Sequence, residues 1–535
     1  MVQTTAEFIS YQQTGYFSKI ITDYLSQNDS LKNFYQHPFN KEGILSAIAE
    51  RKKFNTNRKL LVEQIKLQYA PVQSFYKVKK NITALLDENT FTLCTAHQPN
   101  IFTGHLYFIY KIIHTIKLAD TLNSELTGNK FVPVFYVGSE DADIEELGHI
   151  FINGEKYEWK TKQTGAVGRM IIDDALLSIL KKIDGQLAVD PFGKEIISLI
   201  RECYIKGTTI QDASFRLINK LFGDYGLIIL LPDNTELKRT MTSIFEDDIF
   251  NNTSSDIVNK TSEELSQDYK IQAHPREINL FYLKDDTRKR IVQEKNSYKV
   301  HDTAIRFTHE ELKNELQQFP ERFSPNVILR ALYQETILPN IIFIGGGGEL
   351  AYWLELKDLF HHYKIPFPVL ALRNSFMLIN KKINSLIQKL SLTSADIFKH
   401  EADLLKEIVN KNSTNKLSLE SEKKQIGSLY QNIKSSVNEI DPTLIKHVDS
   451  LLAKDLKKFE NLEKKIFKAE KRNFESQQRQ IQKIKTNLFP NNTLQERVEN
   501  FMPFYAQQGK GFITMLYDNS LDFELEFCII KEEEK

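Results

Sequence analysis

The chain predicts an α/β protein, a doubly wound parallel sheet with insertions, followed by a long antiparallel helical arm. Three observations carry that expectation. Short apolar runs of strand length alternate with amphipathic helix-length segments through residues 1–375. Two segments interrupt the alternation, and from 376 to 487 the sequence becomes charged, glycine-poor and heptad-like.

Taken in order, the strands are expected at 91–96, 131–137, 226–231, 340–344 and 368–372, each a short β-rich run as buried parallel strands require. Helical patterns at 106–118, 196–222, 326–337 and 350–360 supply the crossovers. The first places Leu106, Ile109, Ile113 and Ile116 on one face and Tyr107, Tyr110, Lys111 and His114 on the other, with Thr103 as its N-cap. Residues 150–174 read as a hairpin insertion with turns at Asn153-Gly154 and around Gly165 to Gly168, and 233–325 as a longer mixed insertion. The domain expectation is a core at 1–375 with insertions at about 150–174 and 233–325, an arm at 376–487, and a C-terminal segment at 488–535 packing back on the core, with a strand at 523–530.

In the arm, Ile445, Leu452, Phe459 and Ile466 fall at seven-residue steps, with Val448, Leu462, Ala469 and Ile484 near the adjoining stripe. Asp441-Pro442 marks a turn between two antiparallel helices, the second about 70 Å long if continuous to Leu488. An apolar seam of this kind predicts pairing with another subunit. Lys+Arg and Asp+Glu both number 70 among 535 residues, so no global field draws nucleic acid or an anionic membrane. Cys94, Cys203 and Cys528 match neither a disulfide framework nor a zinc spacing, and are expected as small buried hydrophobes. No cluster predicts a resident metal. Without a signal sequence or apolar span, the protein is expected to be soluble and cytoplasmic.

Ligands of open α/β sheets bind past the carboxyl ends of strands, which nominates four turns. After the first strand come His97, Gln98, Asn100, Thr103, Gly104 and His105, whose polar groups could instead serve only the connection. The second strand runs into Gly138-Ser139-Glu140-Asp141-Ala142-Asp143, followed by Glu145, Glu146 and His149. Carboxylates there suit an amine, Mg2+ or a transferred proton; alternatively they begin a helix capped by Ser139 or Asp141. The run IIFIGGGGEL at 341–350 forms a strand, glycine turn and helix start that is neither GxGxxG nor Walker A. Gly346 and Gly347 let a ligand approach backbone N–H groups, while Glu349 disfavours a phosphate there and favours an amine or hydroxyl. Tyr352 is expected at the crevice and Trp353 in the core. Arg373-Asn374-Ser375 ends the last strand with a cation and two short polar groups suited to phosphate or carboxylate. Ser324-Pro325-Asn326 with Arg330 repeats that combination, with Asn326 as a simple cap and Arg330 as a surface residue the alternative.

Several segments together resemble the bacillithiol biosynthesis cysteine-adding enzymes, the cysteine ligase BshC family. They are TAHQPNIFTGHLYFIYK at 95–111, PVFYVGSEDAD at 133–143, SPNVILRALYQETILPN at 324–340, IGGGGELAYWLELK at 344–357, LRNS at 372–375 and LFPNNTLQERVEN at 488–500. The resemblance spans essentially the whole chain. It implies a Rossmann-like core similar to class I aminoacyl-tRNA synthetases, two connecting insertions and a coiled-coil arm that makes a homodimer. The implied reaction adds cysteine to glucosaminyl-malate, yielding bacillithiol, with ATP activating the carboxylate, most simply as an adenylate that releases AMP, or alternatively with ADP as product or as a bound ligand, and Mg2+ in attendance. In the implied roles His97 contacts the activated acyl group or nucleotide, Gly104 permits close approach, Asp141 and Asp143 hold an amine, and Arg373 with Ser375 meets an anion. A second nucleotide pocket would involve Asn491, Gln495, Arg497 and Tyr505. Many members carry Gly at Asn100, Pro at His105 and His at Ala142, so His105 becomes a candidate local substitute for the missing acid or base. The alternatives are the same fold acting on another amine, or a non-catalytic nucleotide-binding coiled-coil scaffold.

Overall fold

The structure, a computed structural model, describes residues 3–72, 75–295 and 297–533. The chain forms two compact units. One runs to Leu378 and takes in Thr493–Ile530; the other comprises chiefly Ile379–Asn492.

The first unit is built on five parallel strands: β1 (Thr90–His97), β2 (Lys130–Val137), β3 (Ile228–Leu230), β4 (Asn340–Gly345) and β5 (Val369–Leu372). Their order is β5-β4-β1-β2-β3. β1, β3, β4 and β5 are buried along their whole length, as is all of β2 after Lys130, because helices cover both faces of the sheet. Phe91, Leu93, Phe131, Ile342 and Val369 pack in one apolar cluster. The chain leaves β1 toward β2 on one side and returns to β4 on the other, so the carboxyl ends of β1 and β4 flank a topological switch point.

Helix Leu106–Glu125 follows β1, and its presumed polar face is not solvent-facing: Tyr110, Lys111 and His114 are all buried. Thr103 does not cap it. Phe102 and Thr103 have φ of 49° and 70°, and a cap needs extended backbone, so His105 occupies the cap position and the Thr103 hydroxyl has no partner among the described residues. The crossover expected at 196–222 is two helices, Gly193–Cys203 and Ile210–Phe222, separated where Thr209 accepts from Asp212 N at 3.2 Å and caps the second. That expected at 350–360 is likewise Gly347–Trp353 and Lys357–His362. Before β1 lie helices Lys41–Arg51, Arg58–Tyr69 and Tyr76–Ala84, for which the sequence reading has no counterpart. They are tied in by a buried pair, Arg51 to Glu335 at 2.8 Å.

The hairpin insertion is His149–Ile152 paired with Glu155–Glu158, turning at Asn153 and Gly154 with φ of 51° and 81°. The longer insertion holds helices Thr242–Asn251 and Thr253–Leu265 and an antiparallel sheet whose strands include Leu280–Lys284, Thr287–Glu294 and Phe323–Pro325. The expected C-terminal strand is Glu526–Glu532, where Cys528 N donates to Ser375 O at 3.0 Å. All three cysteines are free and buried. No helix among the described residues is long and apolar enough to cross a membrane.

In the second unit, helices Glu420–Ile440 and Ile445–Lys471 form the antiparallel hairpin, turning at Asp441-Pro442. Tyr430 to Asp455 at 2.6 Å, Lys434 to Asp449 at 2.8 Å and Lys423 to Glu463 at 3.0 Å set its register. The second helix is not continuous to Leu488. A 3-10 turn at Arg472–Phe474 ends it after 27 residues, about 40 Å, because Phe474 turns into a cluster with Leu404, Leu405, Ile408 and Ile481. Leu452, Phe459 and Ile466 are half-buried, whereas Leu429, Ile433, Ile440, Leu451 and Leu462 are exposed.

Candidate functional site

Turns at the carboxyl ends of β1, β2, β4 and β5, with residues of the longer insertion, line an open crevice of about 480 Å³. That volume lies in the roughly 300–1,000 Å³ range of small-molecule sites.

His97, the last residue of β1, is only 9% exposed and stacks on Tyr107 at 5.2 Å and Phe108 at 5.4 Å. Its Nδ1 accepts the Gln98 backbone N–H at 2.7 Å, so the neutral ring carries its proton on Nε2 and donates to Tyr107 Oη at 3.1 Å. Burial, reinforced by the nearby Lys111 ammonium, holds its pKa well below the ordinary histidine value. His97 is therefore an uncharged hydrogen-bond donor.

A cationic side adjoins it. Helical pitch brings Lys111 one turn beyond Tyr107, where its buried Nζ donates to Ala96 O at 2.9 Å and pairs with Glu349. Glu349 also accepts from Gly346 N at 2.8 Å, so the short helix after the glycine turn is capped by its own carboxylate. Burial lowers the Lys111 pKa, and Glu349 opposes that. Arg373, 3% exposed at the end of β5, forks onto Glu496 at 2.7 and 3.0 Å and bonds Ser375 Oγ at 2.9 Å. Burial alone would lower its pKa, but the Glu496 carboxylate overrides burial and keeps it charged. Its Nε has no partner among the described residues and lies 3.7 Å from where a side chain on Gly346 would begin. Arg330 bonds Tyr352 Oη and Gln334 on the same side.

The opposite side is acidic. Asp141 accepts from Gln98 Nε2 at 3.1 Å. Glu140 pairs with Lys238, a buried ammonium 3.5 Å from Asp233, whose carboxylate takes both Arg169 bonds at 2.7 and 2.8 Å. Burial raises the Glu140 pKa, with Lys238 opposing. The hairpin insertion clamps this turn: Gly168 N donates to Ser139 O at 2.9 Å and Val167 N to Asp141 O at 2.7 Å. A Cβ on Gly168 would sit 2.4 Å from Ser139 O, so only glycine fits. From the longer insertion, Arg288 enters the crevice over Phe281.

Of the sequence candidates, the crevice gathers His97, Gln98, Glu140, Asp141, Arg330, Gly346, Gly347, Glu349, Tyr352, Arg373 and Arg497. Others stand apart from its walls. Gly104 is glycine because a Cβ would lie 2.7 Å from Cβ of the buried Asn100, so its conformation serves packing rather than ligand approach. Asn500 Nδ2 holds that turn through Phe102 O at 3.0 Å and through Gly104 O. His105 donates from Nδ1 to Val498 O at 2.9 Å and is not part of the crevice lining, with burial lowering its pKa. Asp143, rather than Ser139 or Asp141, caps helix Ile144–Leu147, accepting from Glu146 N at 3.0 Å. Asn374 Oδ1 accepts from Leu521 N at 3.0 Å and from the Ser520 hydroxyl, and Ser375 braces Arg373. Asn326 does line the crevice, but its side chain is used as a cap, accepting from Ile328 N at 3.0 Å, and Trp353 is core, stacked on Phe343 at 4.3 Å.

The four residues expected around a second nucleotide have the following surroundings. Gln495 is spent on the Leu378 backbone, Tyr505 on Glu195 at 2.8 Å, Arg497 belongs to the crevice, and Asn491 is in the other unit. Lys111, Tyr107, Lys238, Arg288 and Glu496 were not nominated. Tyr107 and Lys111 are findable, because their i, i+4 spacing on the helix after β1 puts both on one face at the sheet end; Glu496 lies within the quoted segment 488–500 with nothing local to single it out, and Lys238 and Arg288 come from the longer insertion, where no motif marks them.

Glu349, expected to disfavour a phosphate at the glycine turn, is paired with Lys111, and the orphaned Arg373 Nε and the Arg330 guanidinium beside it fit an anionic group such as a phosphate. Among the described residues no group of three or more His, Cys, Asp or Glu could hold a metal ion.

Sheet order and site define a Rossmann-like ligand-binding core with an appended antiparallel helical hairpin. The chain belongs to the bacillithiol biosynthesis BshC family: its N-terminal Rossmann-like domain matches residues 4–374 and its C-terminal coiled-coil domain residues 376–532. A Flavobacterium johnsoniae protein named "Putative cysteine ligase BshC" is 39% identical over 98% of this chain and 99% of its own length. Proteins of the same name from Flavobacterium psychrophilum and Bacillus cytotoxicus are 38% identical over 98% and 99%, and 27% identical over 96% and 98%, of this chain and their own. Those names agree with the expectation of an enzyme of the ligase class.

Proposed function

We propose that this chain is an ATP-dependent ligase that joins the carboxyl group of cysteine to the amine of glucosaminyl-malate, completing bacillithiol. The observation that supports this most is the division of one crevice into a cationic side with a neutral donor, His97, and an acidic side with Asp141. ATP, accompanied by Mg2+, would supply the activation that a carboxylate needs before an amine can attack it. Arg373, Lys111 and Arg330 would hold the phosphates. His97 Nε2–H would donate to the acyl oxygen as negative charge builds there. Asp141 would orient the attacking amine and accept its proton as the C–N bond forms and the C–O bond to the activating group breaks. Such a reaction belongs in the cytoplasm, where ATP is plentiful.

Purified protein given ATP, cysteine and glucosaminyl-malate should yield a thiol whose mass is the sum of the two substrates less one water. Absence of that product, where a working relative forms it under the same conditions, would remove the reading.

The homodimer is proposed through the exposed stripe of the arm rather than its seven-step positions, which already pack within the unit. Leu429→Glu, Ile433→Glu and Leu451→Glu combined should halve the mass seen by light scattering while helicity is kept. An unchanged mass would place the interface elsewhere or deny it.

A further inference from the structure

Arg288 has no role in the mechanism above, yet it is an unusually prepared group. It sits on strand Thr287–Glu294 of the longer insertion, with its guanidinium 3.9 Å from the Phe281 ring centroid. Nε donates to Ser324 Oγ at 3.0 Å, and Ser324 is fully buried, so the guanidinium plane is fixed at both its face and its stem. The two terminal nitrogens have no protein partner among the described residues, although the group lines the crevice. Burial lowers its pKa, and the charges it feels are Asp141 and Glu140, neither within ion-pair distance. Lys111, by contrast, feels Glu349, Arg373 and Arg330. The crevice therefore has two electrostatic neighbourhoods, and Arg288 belongs to the one where the amine acceptor would bind.

A planar fork with two free parallel donors matches a carboxylate. A half-buried guanidinium whose two terminal nitrogens have no protein partner among the described residues is open to an anionic ligand. Placed beside Asp141, it suits a molecule carrying an amine and a carboxylate together. Cysteine is such a molecule, but its carboxylate is the reacting group and must reach the cationic side. We infer that Arg288 is a specificity residue holding a nonreacting carboxylate of the amine acceptor, so that the insertion selects acidic acceptors. This rests on the ligase reading, since it takes the acceptor to be the malyl glycoside.

The test compares glucosaminyl-malate with methyl glucosaminide, which keeps the amine and lacks the carboxylates, in the wild type, Arg288→Met and Arg288→Lys. Losing a charge-assisted bidentate contact should raise the KM for glucosaminyl-malate on the order of 10- to 100-fold in Arg288→Met. The KM for cysteine and ATP should stay unchanged, and the preference over methyl glucosaminide should collapse. Arg288→Lys, which keeps the charge and loses the fork, should fall between, and matching melting curves would show that all three are folded. An equal loss for both acceptors, or a raised KM for cysteine, overturns the inference. Calorimetric titration of both glycosides without ATP separates it from the ligase reading. Turnover with binding indifferent to Arg288 defeats the inference alone. Arg288-dependent binding of the malyl glycoside without any turnover defeats the ligase reading alone.

Discussion

His97→Ala is expected to lower product formation by about 10²- to 10³-fold, the usual cost of one donor aimed at developing negative charge. His97 Nδ1 is committed to the Gln98 backbone, so only Nε2–H is free to act, and it rests on Tyr107 Oη, a hydroxyl that burial pushes up to about 12 and so keeps neutral. His97→Gln, which restores an N–H donor, should recover at least part of the loss. Activity within about fivefold of wild type in the alanine variant would reduce His97 to a structural element of the turn. The pH dependence gives a second check. Because burial and Lys111 depress its folded-state pKa below the ordinary value of about 6.5, His97 should contribute no limb to kcat between about pH 6 and 8. The sign for stability is the converse of a salt-bridged histidine: the folded state prefers the neutral ring, so the contribution is present above the unfolded pKa and is lost as pH falls below it. Melting temperature should therefore drop on acidification below about pH 6.5 by more in wild type than in His97→Gln.

Arg373→Met should destabilise the protein by about 3–5 kcal/mol, because Glu496 would be left charged with no exposed surface. Removing both charges together, Arg373→Met with Glu496→Leu, should restore most of that stability, since an apolar pair of similar size can replace a buried ion pair at little cost. Activity should not return with it. The orphaned Nε beside Gly346 is the donor the crevice loses in both variants. A double variant that is both stable and active would show Arg373 to be a structural cation only. One that stays as unstable as the single variant would show that the pair positions the turn after β5 beyond its charge balance.

The five strands were legible because parallel strands buried on both faces must be short, apolar and β-rich, and each is followed by a turn signal. Gly138, the glycine run and Arg373 were legible as site candidates for the same reason: the fold class alone says that carboxyl ends of strands meet. Individual side chains within those turns were not. Asp141 and Asp143 are two residues apart in one acidic motif, yet one bonds Gln98 across the crevice and the other caps four residues of helix. His97 and His105 flank a single connection, but three consecutive positive φ angles at Phe102, Thr103 and Gly104 turn the second toward Val498. The heptad positions of the arm predicted a helical hairpin, whereas the buried Phe474 decided where its second helix stops.

By itself the sequence determined the parallel sheet, its insertions, the helical hairpin, the family and the four turns that line the crevice, because periodicity and turn chemistry are local and each strand end is readable within a few residues. Only the tertiary structure decided which charges those turns keep for a ligand. Arg373 answers to Glu496, Glu140 to Lys238 and Lys111 to Glu349, pairings that span between 98 and 238 residues of sequence and exist only because the fold removes water from between them. Arg288, whose terminal nitrogens take neither a carboxylate nor, as in Arg330, a neutral side chain among the described residues, becomes visible only once the others have been paired.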